Sequence, residues 1–185
     1  MVKNFKLLRD STGLLVIDVQ EKLFPYVENS CPVMQTIQKA VRGFQILQLP
    51  IFATEQYPRG LGMTVESLKG VLGTQQRYLN KTSFSCMDDE QVKNELLKAP
   101  VSQWVIAGIE AHVCVLQTVK DLLENGKQVV VLNDAISSRS IYDFSTAIAE
   151  MRDYGARISS TETVLFELLR NSKAAEFKEI SQLIK

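Results

Sequence analysis

Apolar and polar positions along the chain divide it into short apolar runs and longer amphipathic stretches. The short runs are rich in β-branched residues and have the length of strands that are buried on both faces. In chain order, the predicted strands are 14–19, 51–54, 77–79, 104–109, 128–132 and 156–159.

The longer stretches place apolar residues at helical spacing between these strands. The first predicted helix begins after Asn29, has Pro32 in its first turn and ends before Pro50. A second follows strand 104–109 and ends at Gly126, and further helices are predicted at 89–98, at 142–154 and twice near the C-terminus. Segment 56–73 is rich in glycine and turn residues and predicts a long functional loop.

This alternation of strands and helices indicates the α/β class. Right-handed crossovers between such strands produce a parallel sheet that is covered by helices on both faces. The sequence contains no internal repeat, low-complexity tract or linker, so we expect one domain over residues 1–185. The prediction is a three-layer α/β/α architecture.

Composition and charge narrow the function classes. With 185 residues, 45% of them hydrophobic, the chain can bury a core, which argues against intrinsic disorder. Because 21 basic residues balance 21 acidic ones, we expect no nucleic-acid partner and no membrane surface. The N-terminal segment lacks a secretory signal pattern, so the expected compartment is the cytoplasm, with the mitochondrion as the alternative.

Cysteine and histidine are too few for several kinds of site. Three widely spaced cysteines do not predict a disulfide framework. A single histidine, His112, argues against a histidine-rich metal site and against a Ser-His-Asp triad.

Three reactive side chains, Asp18, Lys81 and Cys114, fall at the carboxyl ends of predicted strands, where parallel sheets bind their ligands. Each has a structural alternative: a carboxylate that caps backbone, a solvated lysine and a small buried thiol. The functional interpretation combines a thiolate favoured by a helix N-terminus and a lysine with a carboxylate that moves the proton. Spacing alone does not bring the three together.

Four segments carry a resemblance to a known family. The sequence reads LVIDVQ at 15–20, NKTSFS at 80–85 and GIEAHVCV at 108–115, and these segments resemble the isochorismatase-like cysteine hydrolases. The segment TEQYPRGLG at 54–62 is similar to the isochorismatase-domain-containing branch. The resemblance covers nearly the whole chain, with the segments in the family's order and spacing.

The resemblance implies a parallel sheet of about six strands with Asp18, Lys81 and Cys114 as the catalytic triad. It also implies a cis peptide bond between Ile109 and Glu110. The backbone amides of Glu110 and Cys114 would then form an oxyanion hole.

Around this triad, the resemblance implies that Gln20, Phe24 and Gln56 border the substrate pocket. It leaves open whether His112, next to the catalytic turn, or Cys86, close to the lysine, contributes to the site. Family members commonly assemble, and the loops offer apolar residues such as Tyr57, so a homo-oligomer is expected.

The chain departs from the nicotinamidases of this family, which carry an Asp-x-His metal site after the second strand. Here that position reads Thr54, Glu55 and Gln56, so we expect neither a metal nor another cofactor. The retained thiol favours hydrolysis of a small amide or carbamoyl-type carbonyl compound through a thioester.

Two other classes of protein compete with the hydrolase prediction. A nucleotide-binding module is disfavoured because the first strand is followed by QEKLF, not by a glycine-rich phosphate loop. A catalytically silent interaction protein that keeps the fold remains the alternative.

Overall fold

The structure, a computed structural model, describes residues 5–185 and contains one six-stranded sheet whose paired strands are all parallel. Residues 1–4 of the predicted domain lie outside this range. The strands are β1 (Thr12–Ile17), β2 (Ile51–Gln56), β3 (Tyr78–Lys81), β4 (Gln103–Ile109), β5 (Gln128–Ser137) and β6 (Arg157–Ser159). The helices are α1 (Ser30–Ile46), α2 (Pro58–Leu61), α3 (Glu66–Leu72), α4 (Glu90–Lys98), α5 (Leu116–Glu124), α6 (Ile141–Tyr154), α7 (Thr161–Leu169) and α8 (Phe177–Ile184).

The strand order β3-β2-β1-β4-β5-β6 creates a topological switch at the centre of the sheet. From β1 the chain adds β2 and β3 on one side, then returns and adds β4, β5 and β6 on the other. The carboxyl ends of β1 and β4 therefore lie side by side where the order reverses. In open parallel sheets, this is the place where ligands bind.

Alternate residues of the central strands point into two separate apolar cores. In β1, Leu14 and Val16 pack with residues of α1, α3, α7 and α8, whereas Leu15 and Ile17 pack with residues of α4, α5 and α6. All six residues of β1 are buried, as expected for a strand covered on both faces. The predicted α/β class and three-layer architecture are confirmed.

Three regions differ from the sequence prediction, and the first is β1, which covers Thr12–Ile17 and not 14–19. Segment 56–73 was expected to be a long loop, but it contains the short helices α2 and α3. These have four and seven residues, which is too short to show a helical period, although Leu68 and Leu72 are buried one turn apart. Strand β5 continues to Ser137, past an exposed Asn133 that interrupts its apolar pattern.

Gly108 shapes the end of β4 at the switch point. It has φ of +120°, and a Cβ atom there would lie 2.1 Å from the carbonyl oxygen of Ile17. No other residue fits so close to a neighbouring backbone. The pairing of β4 with β5 also shifts register between Ile106 and Gly108 and resumes with Gly108 opposite Ile136.

Among residues 5–185, no helix is long and apolar enough to cross a membrane.

Candidate active site

Asp18 and Lys81 form a fully buried ion pair at the carboxyl edge of the sheet. Asp18 is the first residue after β1 and has a left-handed backbone conformation, with φ of 52°. Lys81 is the last residue of β3, and its Nζ lies 2.6 Å from Asp18 Oδ2. Both side chains are 0% exposed. The parallel register thus brings together two residues that are 63 positions apart in the sequence.

The Lys81 ammonium is surrounded by acceptors. Besides Asp18, it donates to Gln56 Oε1 at 2.8 Å, to the Ser83 carbonyl at 3.2 Å and to the Phe84 carbonyl at 2.9 Å. Because an ammonium has three N–H donors, these four acceptors leave none for a substrate. Lys81 therefore acts on the site through Asp18.

The net charge around Lys81 favours its protonated form. Burial by itself lowers the pKa of Lys81, but the charge of Asp18, the nearby thiols and the hydrogen bond to Asp18 more than offset it, so the pKa lies above its ordinary value. Lys81 therefore stays protonated at neutral pH.

Cys114 lies in a π-helical turn, Ala111–Val115, between β4 and α5. Its side chain is buried, and burial is the largest of the causes that raise the pKa of its thiol. The Asp18 charge and a hydrogen bond with Asp18 raise it further, whereas Lys81 lowers it without restoring the ordinary value. Desolvation outweighs the helix terminus and the lysine, which by themselves favour a thiolate. The resting site holds a neutral thiol facing a carboxylate.

This protonation state predicts how alkylation of Cys114 depends on pH. With a raised pKa, the thiolate fraction increases about tenfold per pH unit and does not saturate below about pH 10. We expect the iodoacetamide rate at Cys114, followed by peptide mass mapping, to rise throughout this range. A small peptide thiol with an ordinary pKa of about 8.5, measured in parallel, approaches its plateau. A plateau at Cys114 below pH 8 would contradict the buried neutral thiol.

The peptide bond between Ile109 and Glu110 is cis in the structure. It immediately precedes the turn that carries Cys114, and the Glu110 carbonyl accepts hydrogen bonds from the amides of Val113 and Val115. The Glu110 side chain accepts from Arg139 Nε at 2.9 Å, which fixes the residue from the side of β5. These contacts hold the backbone whose amides we expect to form the oxyanion hole.

The three residues expected to border the pocket, Gln20, Phe24 and Gln56, are all buried. Gln20 is fully buried, accepts from the Gln56 amide at 2.7 Å and donates to the Gly62 carbonyl at 2.6 Å. The Gln56 side chain is engaged at both ends, with Lys81 and with the Thr82 carbonyl. Phe24 is 7% exposed and belongs to the apolar core. In this arrangement, the side chain of Gln20 holds the neighbouring backbone, and the side chain of Gln56 holds Lys81.

The contacts of His112 and Cys86 are structural. His112 Nδ1 lies 2.9 Å from Ser138 Oγ, which links the π-helical turn to the chain after β5. Cys86 is completely buried, and its amide donates to Thr118 Oγ1 at 3.0 Å. Burial raises the pKa of Cys86 to about 11, against the opposing effect of Lys81. Cys86 is thus a second protonated thiol close to the ion pair.

The residues at the nicotinamidase metal position do not form a ligand set. The side chains of Thr54 and Gln56 are hydrogen-bonded to Asp18 and Lys81, respectively. Glu55 is buried elsewhere and accepts from the amide and hydroxyl of Thr64 at 2.7 and 2.8 Å. Within residues 5–185, no group of three or more histidine, cysteine or acidic side chains is arranged to hold a metal ion.

Two clefts open at the carboxyl edge of the sheet. One of about 310 Å³ lies beyond β2 and β3 and is lined by residues that include Tyr57, Arg59 and Lys81. Another of about 440 Å³ lies between the start of α1 and the end of β5, with Ile141 in its wall. Cys114 lines neither of these two clefts.

The family model of the isochorismatase domain matches residues 12–163, most of the chain. The chain belongs to the isochorismatase family, a hydrolase family, as the resemblance of its motifs predicted.

Relatives match along nearly the whole chain. "Isochorismatase domain-containing protein 2" of Danio rerio is 37% identical over 171 residues, which cover 92% of this chain and 85% of that protein. A solved structure described as MAR1 ribonuclease from Caenorhabditis elegans is 38% identical, with a TM-score of 0.90, and covers 97% of this chain and 92% of its own. The ycaC gene product of Escherichia coli, described as an octameric hydrolase of unknown specificity, shares the fold at 21% identity, with a TM-score of 0.91 and coverage of 98% and 90%.

Proposed function

We propose that this protein is a cysteine hydrolase that cleaves a small amide or carbamoyl-type substrate through a thioester at Cys114. The observation that carries the proposal is the Asp18 carboxylate, which faces the thiol and is held on its other side by Lys81. A neutral thiol next to a fixed carboxylate is a nucleophile with its own general base.

In the proposed reaction, Cys114 Sγ attacks the carbonyl carbon while its proton passes to Asp18. The backbone amides of Glu110 and Cys114 stabilise the negative charge that develops on the carbonyl oxygen. Asp18 then gives the proton to the leaving nitrogen, the C–N bond breaks and the thioester remains. Water next loses a proton to Asp18 and attacks the thioester, and the thiol regains its proton as the acid leaves.

An amide fits this proton path because its leaving nitrogen must be protonated. A true isochorismatase cleaves a vinyl ether, and that reaction does not need a thiol nucleophile. The site supplies one proton carrier, Asp18, for both halves of the reaction. Lys81 holds that carboxylate in place between them.

The deciding experiment is a screen of small amides, carbamoyl compounds and nitriles against the purified protein. Product release is measured together with the intact mass of the protein after rapid acid quenching. We expect at least one compound to give turnover and a mass increase that maps to Cys114. Turnover without any adduct would contradict the thioester.

The same screen separates the alternatives. A short single-stranded RNA is included because the C. elegans neighbour is described as a ribonuclease. Cleavage of RNA and of none of the carbonyl compounds would replace our proposal with a nuclease. Ligand binding without turnover across the panel would favour the catalytically silent interaction protein.

We also propose that the protein forms a homo-oligomer through the carboxyl edge of the sheet. Four exposed aromatic residues lie in connections that follow strands at this edge: Tyr26, Tyr57, Phe84 and Tyr142. Tyr142 is 81% exposed, and the related E. coli protein is described as octameric. Exposed aromatic side chains that follow neighbouring strands at one edge of the sheet support an interface there.

Light scattering after gel filtration at micromolar concentration tests the assembly. We expect a mass of at least two chains, which Tyr142→Glu lowers because it places a charge in the interface. Leu97→Glu, on the exposed face of α4, is the control and leaves the mass unchanged. A monomeric wild-type protein would refute this part of the proposal.

A further inference from the structure

Thr54 contacts Asp18 through both its side chain and its backbone. Its Oγ1 donates to Asp18 Oδ1 at 2.7 Å, and its carbonyl oxygen accepts from the Asp18 amide at 3.3 Å. Thr54 is 1% exposed, so water does not compete for this hydroxyl. The contact lies on the carboxylate oxygen that Lys81 does not hold.

The two donors together fix the plane of the carboxylate. Lys81 holds Oδ2 and Thr54 holds Oδ1, so rotation of the carboxyl group breaks both hydrogen bonds. Hydrogen bonds to a charged acceptor are about twice as strong as neutral ones. Thr54 lies in β2, between β1 and β3, so its hydroxyl is next to the carboxylate of Asp18.

We propose that Thr54 is a positioning residue that orients Asp18 towards Cys114 and limits how readily the carboxylate takes up the thiol proton. This inference rests on the proposed function, in which Asp18 is the proton carrier. Thr54 touches no reacting atom itself and acts through Asp18.

The loss of this hydroxyl has two opposite consequences. Without its donor, the Asp18 carboxylate becomes more basic and takes the Cys114 proton more readily, so the thiolate population increases. The return of that proton to a leaving group becomes slower, and the carboxyl group is free to rotate. Alkylation therefore rises while turnover falls, whereas simple structural damage lowers turnover without this rise.

The test uses Thr54→Val, which keeps the shape and removes the hydroxyl. We expect iodoacetamide to modify Cys114 about tenfold faster at pH 7.5 than in the wild type, because a hydrogen bond to a charged group contributes about a factor of ten or more. Thr54→Ser restores the wild-type rate to within about threefold. The exposed Cys31 in the same sample reports on the reagent and keeps its rate.

Thr12→Val is the matched control. Thr12 is also 1% exposed, and its hydroxyl donates to the Leu8 carbonyl at 2.7 Å at the opposite end of the sheet. It therefore loses a buried hydrogen bond without affecting Asp18, and Cys114 alkylation stays at the wild-type rate. A Thr54→Val rate within twofold of wild type, or equal increases in both variants, would overturn the inference.

With a substrate from the screen, Thr54→Val lowers kcat about tenfold at unchanged KM. A rise in KM alone would contradict a positioning role. Because alkylation needs no substrate, the coupling of Thr54 to Asp18 is tested even if the thioester mechanism fails. That mechanism is tested separately by replacement of Cys114.

Discussion

Cys114→Ala abolishes turnover of any substrate identified in the screen while the protein stays folded. Where a nucleophile and its base act as a unit, the loss of the nucleophile costs a factor on the order of 10⁶ in kcat. Alanine fits the π-helical turn because it is smaller than cysteine and also apolar. The measurement is kcat of the purified variant, with a urea melt to show that the fold is intact.

Cys86→Ala is the matched control for this substitution. Cys86 is a buried thiol that lies near Lys81. Its replacement by alanine removes the same atoms as Cys114→Ala does. Because the proposed reaction does not use it, turnover stays within a few-fold of wild type. Comparable activity in Cys114→Ala would defeat the covalent mechanism and leave direct attack by water, and an inactive Cys86→Ala with a normal melt would point to the other thiol.

The strands were predictable where burial is continuous. The run around Leu14–Ile17 is apolar at every position because helices cover both faces, so its pattern is clear without a structure. Strand β5 was cut short at Leu132 because Asn133 and Asp134 follow. Asp134 is retained in the strand by its hydrogen bonds to the amide and hydroxyl of Thr161, which are 27 residues away and invisible to a local pattern.

The candidate site was predictable in its residues and less so in its protonation. The motifs singled out Asp18, Lys81 and Cys114, and the parallel register explains how Asp18 and Lys81 meet. The helix terminus and the lysine, which favour a thiolate, are visible in the sequence. Desolvation raises the pKa of the thiol. It depends on the packing of elements that are distant in the sequence, so it is not visible in the sequence.

The role of Thr54 was also not predictable from local sequence. From the sequence, Thr54 was placed in a strand, in a family segment and at the position of a missing metal-binding motif, and was given no role in the site. The signal that could have found it is its position: a hydroxyl near the end of the strand between β1 and β3 has carboxylate and lysine as its neighbours. That inference requires the strand order, which places β2 between them.

Lys81→Met destabilises the protein by about 3–5 kcal/mol, because it leaves the Asp18 carboxylate buried without its cation. The lost contact is the 2.6 Å ion pair, in which both side chains are 0% exposed. Methionine has a similar length and fills most of the space of the lysine stem. The free energy of unfolding is measured by urea denaturation at pH 7, where the midpoint falls and the slope stays constant.

The double variant Asp18→Asn/Lys81→Met separates charge from packing. Once the carboxylate is neutral, the uncompensated charge is gone, so we expect the double variant to be more stable than Lys81→Met alone. The coupling between the two substitutions measures the ion pair. Additive losses would show that the lysine stabilises the fold through its stem, not through its charge.

The pH dependence of stability gives an independent check on Lys81. Because its folded pKa is raised, its contribution to stability is fully present below the ordinary lysine value of about 10.4 and is lost as the pH rises through the folded value. Wild-type stability should therefore fall more steeply above about pH 10 than that of the double variant, which lacks the titrating lysine. Parallel curves for the two proteins would contradict the raised pKa and, with it, a permanently charged partner for Asp18.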